Sequence, residues 1–394
     1  MNGTKRILTI DIMRGLTLFL MLFVNDLYVP GVPKWLTHTP ADFDGMGLAD
    51  WVFPGFLFMV GMAVPFAIRK RINNGDSNIK LVYHILVRTI SLLIIGVFML
   101  NVGRINPELT GMPKYAWAIL AYVSFFLIWN VYANLDKKYI VAMKSVGVAG
   151  LIILAFIFKA GTPEEITWLR TGWWGILGLI GWGYLVASLT YLTLKDNLAG
   201  VGSVWMGFVG VNILSQMGLL DSLSFLKPVF GVIIDGNVPS IVLAGLFFSL
   251  VLRRMKEMGS NNFITTGIIL GVLSLVAGFV LRNWFIISKI KGTPSWAMIC
   301  NGISILLFVI LFIVIDVWGR EKWTIVFKPA GANSLTTYLA PDIFYYMFWW
   351  SGIPVLIYKQ SGQPLVVVLG SLLWAMLMIG YAALLSKIGI RLKL

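Results

Sequence analysis

Residues 11–26 read Asp11-Ile-Met-Arg14-Gly15-Leu-Thr-Leu-Phe-Leu-Met-Leu-Phe-Val-Asn25-Asp26, an apolar run with an ion pair near one end and an amide and an acid at the other. The surrounding run, residues 7–28, has the roughly 20 residues that a membrane helix needs. Ions are costly in hydrocarbon, so a helix that keeps them holds them for a task. Asp11 and Arg14 stand on one helical face and can pair. At 1.5 Å per residue they lie within about 10 Å of one entrance. The pair is either a tether to the rest of a bundle or the wall of a polar cavity. Directly downstream comes the polar loop His38-Thr-Pro-Ala-Asp42-Phe-Asp44-Gly45-Met-Gly-Leu-Ala-Asp50, which runs into Trp51-Val-Phe-Pro54-Gly-Phe-Leu-Phe.

Composition generalises the reading of this one helix. The 394 residues are 58% hydrophobic and only 12% charged, against about 25% charged in soluble domains. The formal charge of +14 sits in short clusters between apolar runs, the pattern that orients membrane proteins. No long basic segment suited to nucleic acid exists. The single cysteine, Cys300, excludes an internal disulfide framework and a cysteine metal cluster, and its apolar setting reads as a small buried thiol. Lys5 and Arg6 precede the first apolar run without a small-residue cleavage site, so that run is expected to be a retained first helix.

The expected fold is an all-α polytopic membrane protein, a bundle of about 12 transmembrane helices (10–12) forming a single domain over residues 1–394. The expected spans are 7–28, 48–68, 81–103, 115–132, 139–158, 172–193, 198–219, 238–252, 264–282, 295–316, 332–350 and 364–386, without an internal repeat. With the N-terminus inside, the inner loops collect eighteen of the 31 Lys and Arg residues, Lys5, Arg6 and Lys256 among them, and the outer loops ten. This excess predicts both termini in the cytoplasm. The His38 loop then lies outside.

Further candidates follow from spacing. His84 and Arg88 lie one turn apart near the cytoplasmic entrance, where arginine binds phosphate through its planar fork or snorkels to lipid headgroups. Lys328-Pro329-Ala-Gly331-Ala-Asn333-Ser334 opens the helix that carries Tyr338 and Asp342. Asn333 or Ser334 could cap that helix, and its start would also favour an anion. Trp296 reads as an interfacial belt residue or as a platform for a sugar ring. In the outer loop, Asp42, Asp44 and Asp50 surround His38 and could orient its imidazole or hold an ammonium group. The spacing His-Glu-x-x-His is absent, so no metal site is expected, and neither a nucleophile elbow nor a phosphate loop is present.

These residues carry a resemblance. Asp11-x-x-Arg14-Gly15, Asn25, the His38 loop ending in Asp50-x-x-Phe53-Pro54-x-Phe-x-Phe-x-x-Gly61, and Pro329-x-Gly331-x-Asn333-Ser334 with Tyr338 resemble the heparan-alpha-glucosaminide N-acetyltransferase family. The match is densest over residues 7–68. The resemblance extends to a bacterial branch of that family, from amino-sugar utilisation loci, long labelled as N-acetylglucosamine-related transporters. It implies a multi-pass enzyme of the bacterial inner membrane that moves an acetyl group from cytosolic acetyl-CoA to the amino group of a glucosamine-type sugar, free or ending a saccharide, on the periplasmic side. His38 is then the catalytic histidine, acting as base or carrying the acetyl group itself. Asn25 would polarise the thioester oxygen, and Asp26 or Asp50 would orient His38 or the amine. Asp11, Arg14, His84, Arg88, Asn333, Ser334 and Tyr338 would bind the acetyl-CoA co-substrate. The bilayer is the expected surrounding, and a homodimer is open to the chain. The interval from His38 to Asp50 is longer than in eukaryotic members. Gly111-Met-Pro113-Lys-Tyr-Ala-Trp117 also lacks their arginine-rich pattern. An amino-sugar transporter is the alternative, and the lack of an inverted repeat counts against it. A noncatalytic scaffold leaves the polar residues at both ends of the first helix unexplained.

Overall fold

The structure, a computed structural model, describes residues 7–27, 32–133 and 135–394, except for the side chains of 256 and 257. Lys5 and Arg6, which entered the charge count, lie outside the described residues, as does the side chain of Lys256. Each of the twelve expected apolar runs coincides with one helix of the structure. These are α1 (Leu8–Asp26), α2 (Leu48–Asn73), α3 (Asn78–Asn101), α4 (Lys114–Trp129), α5 (Lys137–Ile157), α6 (Gly175–Leu194), α7 (Leu198–Gln216), α8 (Asn237–Glu257), α9 (Ser260–Leu281), α10 (Pro294–Phe312), α11 (Ser334–Ser351) and α12 (Pro364–Lys387). Among the described residues, ten segments are long and apolar enough to cross a membrane, which makes this a polytopic membrane protein. The other two helices are α4, which is short, and α11, which carries Asp342. A hairpin of two-residue strands, β1 (Ala160–Gly161) with β2 (Ile166–Thr167), is antiparallel and sets Ala160 opposite Thr167.

The centre of the bundle is built from α1, α2, α6, α8 and α10, while α5, α7 and α9 turn most of their surface outward. Apolar side chains such as Ile152, Phe156, Ile269 and Leu273 cover those outward faces. Hydrocarbon outside such helices is no poorer a solvent than the core, so association rests on close packing. Glycines supply it. Gly61 of α2 and Gly245 of α8 face each other's backbones, and a Cβ at either would lie 1.8 Å from the Val242 carbonyl oxygen or 1.9 Å from that of Phe58. Below this contact Phe248 packs against Phe58, Phe263 and Phe308.

Helix α1 is anchored at its start from another part of the chain. After α10 a π-helical turn, Ile313–Val317, brings Asp316 over the first turn of α1. There its carboxylate accepts from the Leu8 and Thr9 amides and the Thr9 hydroxyl, satisfying donors that a helix start leaves open. Beside it lies the short helix Lys328–Ala332. Gly15 and Gly331 are the contact between the two: a Cβ at 15 would meet the Phe327 carbonyl oxygen at 2.2 Å, and one at 331 that of Asp11 at 2.3 Å.

Gly61→Ala and Gly245→Ala are each expected to cost about 1–3 kcal/mol through overpacking, seen as a lower midpoint of thermal unfolding in detergent. The double variant is expected to lose less than the sum, since both side chains invade one contact.

Candidate functional site

The segment after α1 is held by one carboxylate. Asp50 lies in the first turn of α2 and accepts from the Gly47 amide at 3.0 Å, so it closes the start of its own helix. The same carboxylate accepts from the Thr39 amide at 3.1 Å and the Thr39 hydroxyl at 3.0 Å. Its other oxygen meets His38 Nδ1 at 2.7 Å. The Asp50 side chain has no exposed surface, while that of His38 is 48% exposed. A carboxylate at Nδ1 assigns the ring proton to that nitrogen and leaves Nε2 with its lone pair free.

A second loop, residues 282–293 between α9 and α10, docks on the first. Asp44 accepts from the Ile287 amide and pairs with Arg282, both at 2.8 Å. These partners hold its carboxyl below the usual range, the Ile287 amide most strongly and then Arg282. Asp42 pairs with Lys291 at 2.6 Å, which lowers its carboxyl as well. Of the three acids expected around the histidine, Asp50 alone is hydrogen-bonded to it. Docking also delivers Lys289, whose Nζ lies 3.2 Å from His38 Nδ1 and 3.4 Å from Nε2. Trp296 of α10 donates its indole N–H to the Asp50 carbonyl at 3.1 Å and is buried. It is a tie between α10 and α2 rather than an interfacial belt residue.

Two cavities flank the middle of α1. The second, about 730 Å³, is lined by Asn25, His38 and Lys289 together with Trp173, Trp174 and Trp296. The first, about 370 Å³, is lined by Arg14, Arg88, Tyr184, Asn333, Ser334 and Tyr338. Met21 and Ile176 line both.

Five of the seven residues expected to bind a co-substrate thus meet at the first cavity. Arg14 pairs with Asp11 at 2.9 Å and donates from Nε to the Gly331 carbonyl at 2.8 Å, so it both tethers α1 and lines the cavity. Arg88 lies over the Tyr184 ring, 4.5 Å from its centroid, rather than snorkelling, and its buried Nε–H donates to nothing among the described residues. Asn333 stands at the cap position of α11 but does not cap it, reaching instead to Ser386 of α12 at 3.3 Å. Ser334 donates back to Ala330. Asp11 and His84 do not line either cavity.

Asp26 is also apart from His38. Its carboxylate has no exposed surface, pairs with Lys359 at 2.7 Å and accepts from the hydroxyls of Tyr345 and Tyr358. It latches the end of α1 to α11 and to the turn Ile357–Gln360. Lys289, Met21, Ile176 and Tyr184 are site residues that spacing does not single out. For Lys289 a faint signal exists, since it stands on the same expected side as His38 among three basic residues between 282 and 291.

In comparisons with known proteins, residues 6–204 match the family described as a domain of unknown function, DUF5009. Proteins named heparan-alpha-glucosaminide N-acetyltransferase from Mus musculus and Homo sapiens are each 25% identical to this chain, over 89% and 88% of it. Those alignments take in 55% and 54% of the relatives, so the chain spans about half their length.

Asp50→Asn replaces an acceptor with an amide donor that faces one of the present donors. The expected cost is about 1–3 kcal/mol, with faster hydrogen exchange at the Thr39 and Gly47 amides. Unchanged exchange there would separate Asp50 from the loop's conformation.

Proposed function

We propose that this chain, which belongs to the DUF5009 family, is a transmembrane N-acetyltransferase that takes an acetyl group from acetyl-CoA on the cytoplasmic side and delivers it to the amino group of a glucosamine-type sugar on the other. One observation carries the reading. Two cavities reach α1 from opposite ends and share Met21 and Ile176, with Arg14 and Arg88 at one and His38 at the other. The names of the two relatives agree with the chemistry. The excess of basic residues in the loops on the first cavity's side supports a cytoplasmic donor site; a bacterial inner membrane is what the family resemblance implies.

The first cavity suits the phosphates of the donor. Arg88 offers a buried Nε–H that no described residue accepts, and a guanidinium binds phosphate strongly through its planar fork. Arg14, Asn333, Ser334 and Tyr338 line the same space and complete the donor side. Met21 and Ile176, which line both cavities, form the apolar neck through which an acyl-bearing arm would reach the second. At its far end His38 presents Nε2, the nitrogen that Asp50 leaves free. As the amine attacks the carbonyl carbon, Nε2 takes the N–H proton and returns it to the departing thiolate. Asn25 has no side-chain hydrogen bond among the described residues and lines the same cavity, free to donate to the carbonyl oxygen. Asp50 orients the ring, and Asp26 acts only by fixing the end of α1.

Purified protein given labelled acetyl-CoA and glucosamine is expected to transfer the label. His38→Ala should lower the rate at least about 100-fold, and His84→Ala should leave it unchanged. Arg88→Gln should raise KM for acetyl-CoA by roughly tenfold or more. Ile176→Trp should stop transfer by filling the neck while acetyl-CoA still binds. Sugar uptake into vesicles without any acetyl transfer would establish the transporter reading instead.

A further inference from the structure

The 282–293 loop brings an ammonium group to the acetyl-transfer histidine, and its setting differs from that of every other lysine around the second cavity. Lys291 is neutralised by Asp42 at 2.6 Å and Lys227 by Asp235 at 3.6 Å. Lys289 has no carboxylate within ion-pairing distance among the described residues; its Nζ donates to the Ala49 carbonyl at 3.3 Å. Its distances to the two ring nitrogens of His38, 3.2 and 3.4 Å, are nearly equal. An in-plane position equidistant from both would drive Nζ into the carbon between them, so the ammonium lies over the ring face. It therefore leaves the in-plane lone pair of Nε2 clear.

We propose that Lys289 is the cationic electrophile of the transfer step, placed to receive the negative charge that develops on the acetyl carbonyl oxygen beside His38. The proposal rests on the reading of His38 as the base. When the sugar nitrogen bonds to the carbonyl carbon, the C=O π pair moves onto oxygen and His38 Nε2 takes the N–H proton. Collapse of the tetrahedral species re-forms C=O, breaks the C–S bond and sends that pair to sulfur, which receives the proton from His38. Lys289 donates a hydrogen bond to the oxyanion throughout and gives up no proton. A cation already fixed beside the reacting carbonyl needs no reorganisation as the charge develops, so it stabilises that charge more than water does. Lys289 also lines the space where the reacting atoms must meet.

The proposal has a pH signature. Burial pushes the Lys289 ammonium below its ordinary range, and the Asp50 carboxylate only partly restores it. The other titratable groups facing it are His38 from the loop, Cys300 from α10, and the Lys291–Asp42 and Lys227–Asp235 pairs. The charged form is the active one, so the rate is lost as pH rises through the lowered value, below where an ordinary lysine titrates.

The test uses the full chain in detergent with acetyl-CoA and glucosamine, comparing wild type, Lys289→Met and Lys289→Arg. Lys289→Met is expected to lower kcat by about 100-fold with KM and thermal midpoint little changed. Lys289→Arg keeps most of kcat and moves the alkaline limb of the pH profile upward, because a guanidinium does not titrate there. Full kcat in Lys289→Met, or an alkaline limb that stays in place in Lys289→Arg, overturns this role while the enzyme reading stands. A wild type without any transfer overturns both.

Discussion

The site depends on a single buried carboxylate. Asp50 has no exposed surface, and an ion in that position is tolerated only when its lone pairs are taken up by donors. Two of those donors are the Gly47 and Thr39 amides, so the chain between α1 and α2 must fold back over the start of α2. A third is the ring N–H of His38. Satisfying the charge therefore closes the helix, sets the loop and aims the imidazole in one step. The same folded loop exposes Asp42 and Asp44, which then recruit Lys291, Arg282 and the Ile287 amide, and with them Lys289.

A second constraint is the close approach of helices at glycine. Gly15 against the helix Lys328–Ala332 brings Asn333 and Ser334 to Arg14, and Gly61 against Gly245 holds α2 close to α8. Between these contacts α1 has a polar residue facing a cavity near each end, Arg14 and Asn25, and an apolar middle at Met21. The eleven residues that separate Arg14 from Asn25 correspond to about 16 Å along a helix. This is the distance over which donor and acceptor chemistry would be joined.

Much of this was legible in the sequence where the interaction is local. The Asp11–Arg14 pair follows from helical spacing, and the twelve apolar runs all hold helices because length and composition decide that outcome. The Asp50–His38 contact is a short-range event within one loop, visible as an acid that follows a histidine. What spacing could not reach are contacts made by distant parts of the chain. Asp26 finds Tyr345 and Tyr358, more than three hundred residues away, instead of the nearby histidine. Lys289 counted only as one of the outer basic residues, since nothing around it in sequence tells that two loops dock. Trp296 looked interfacial because a helix end and a tryptophan suffice for that reading, whereas its indole N–H is committed to the Asp50 carbonyl.

The central claim is that one bundle joins two half-sites that open to opposite sides. Sealed vesicles containing the reconstituted, orientation-selected protein test it most directly, with acetyl-CoA enclosed on one side and glucosamine on the other. Acetylated sugar is expected only when acetyl-CoA is on the Arg14 and Arg88 side and the sugar is on the His38 side, with no net movement of sugar. Transfer that requires both substrates on the same side would contradict it.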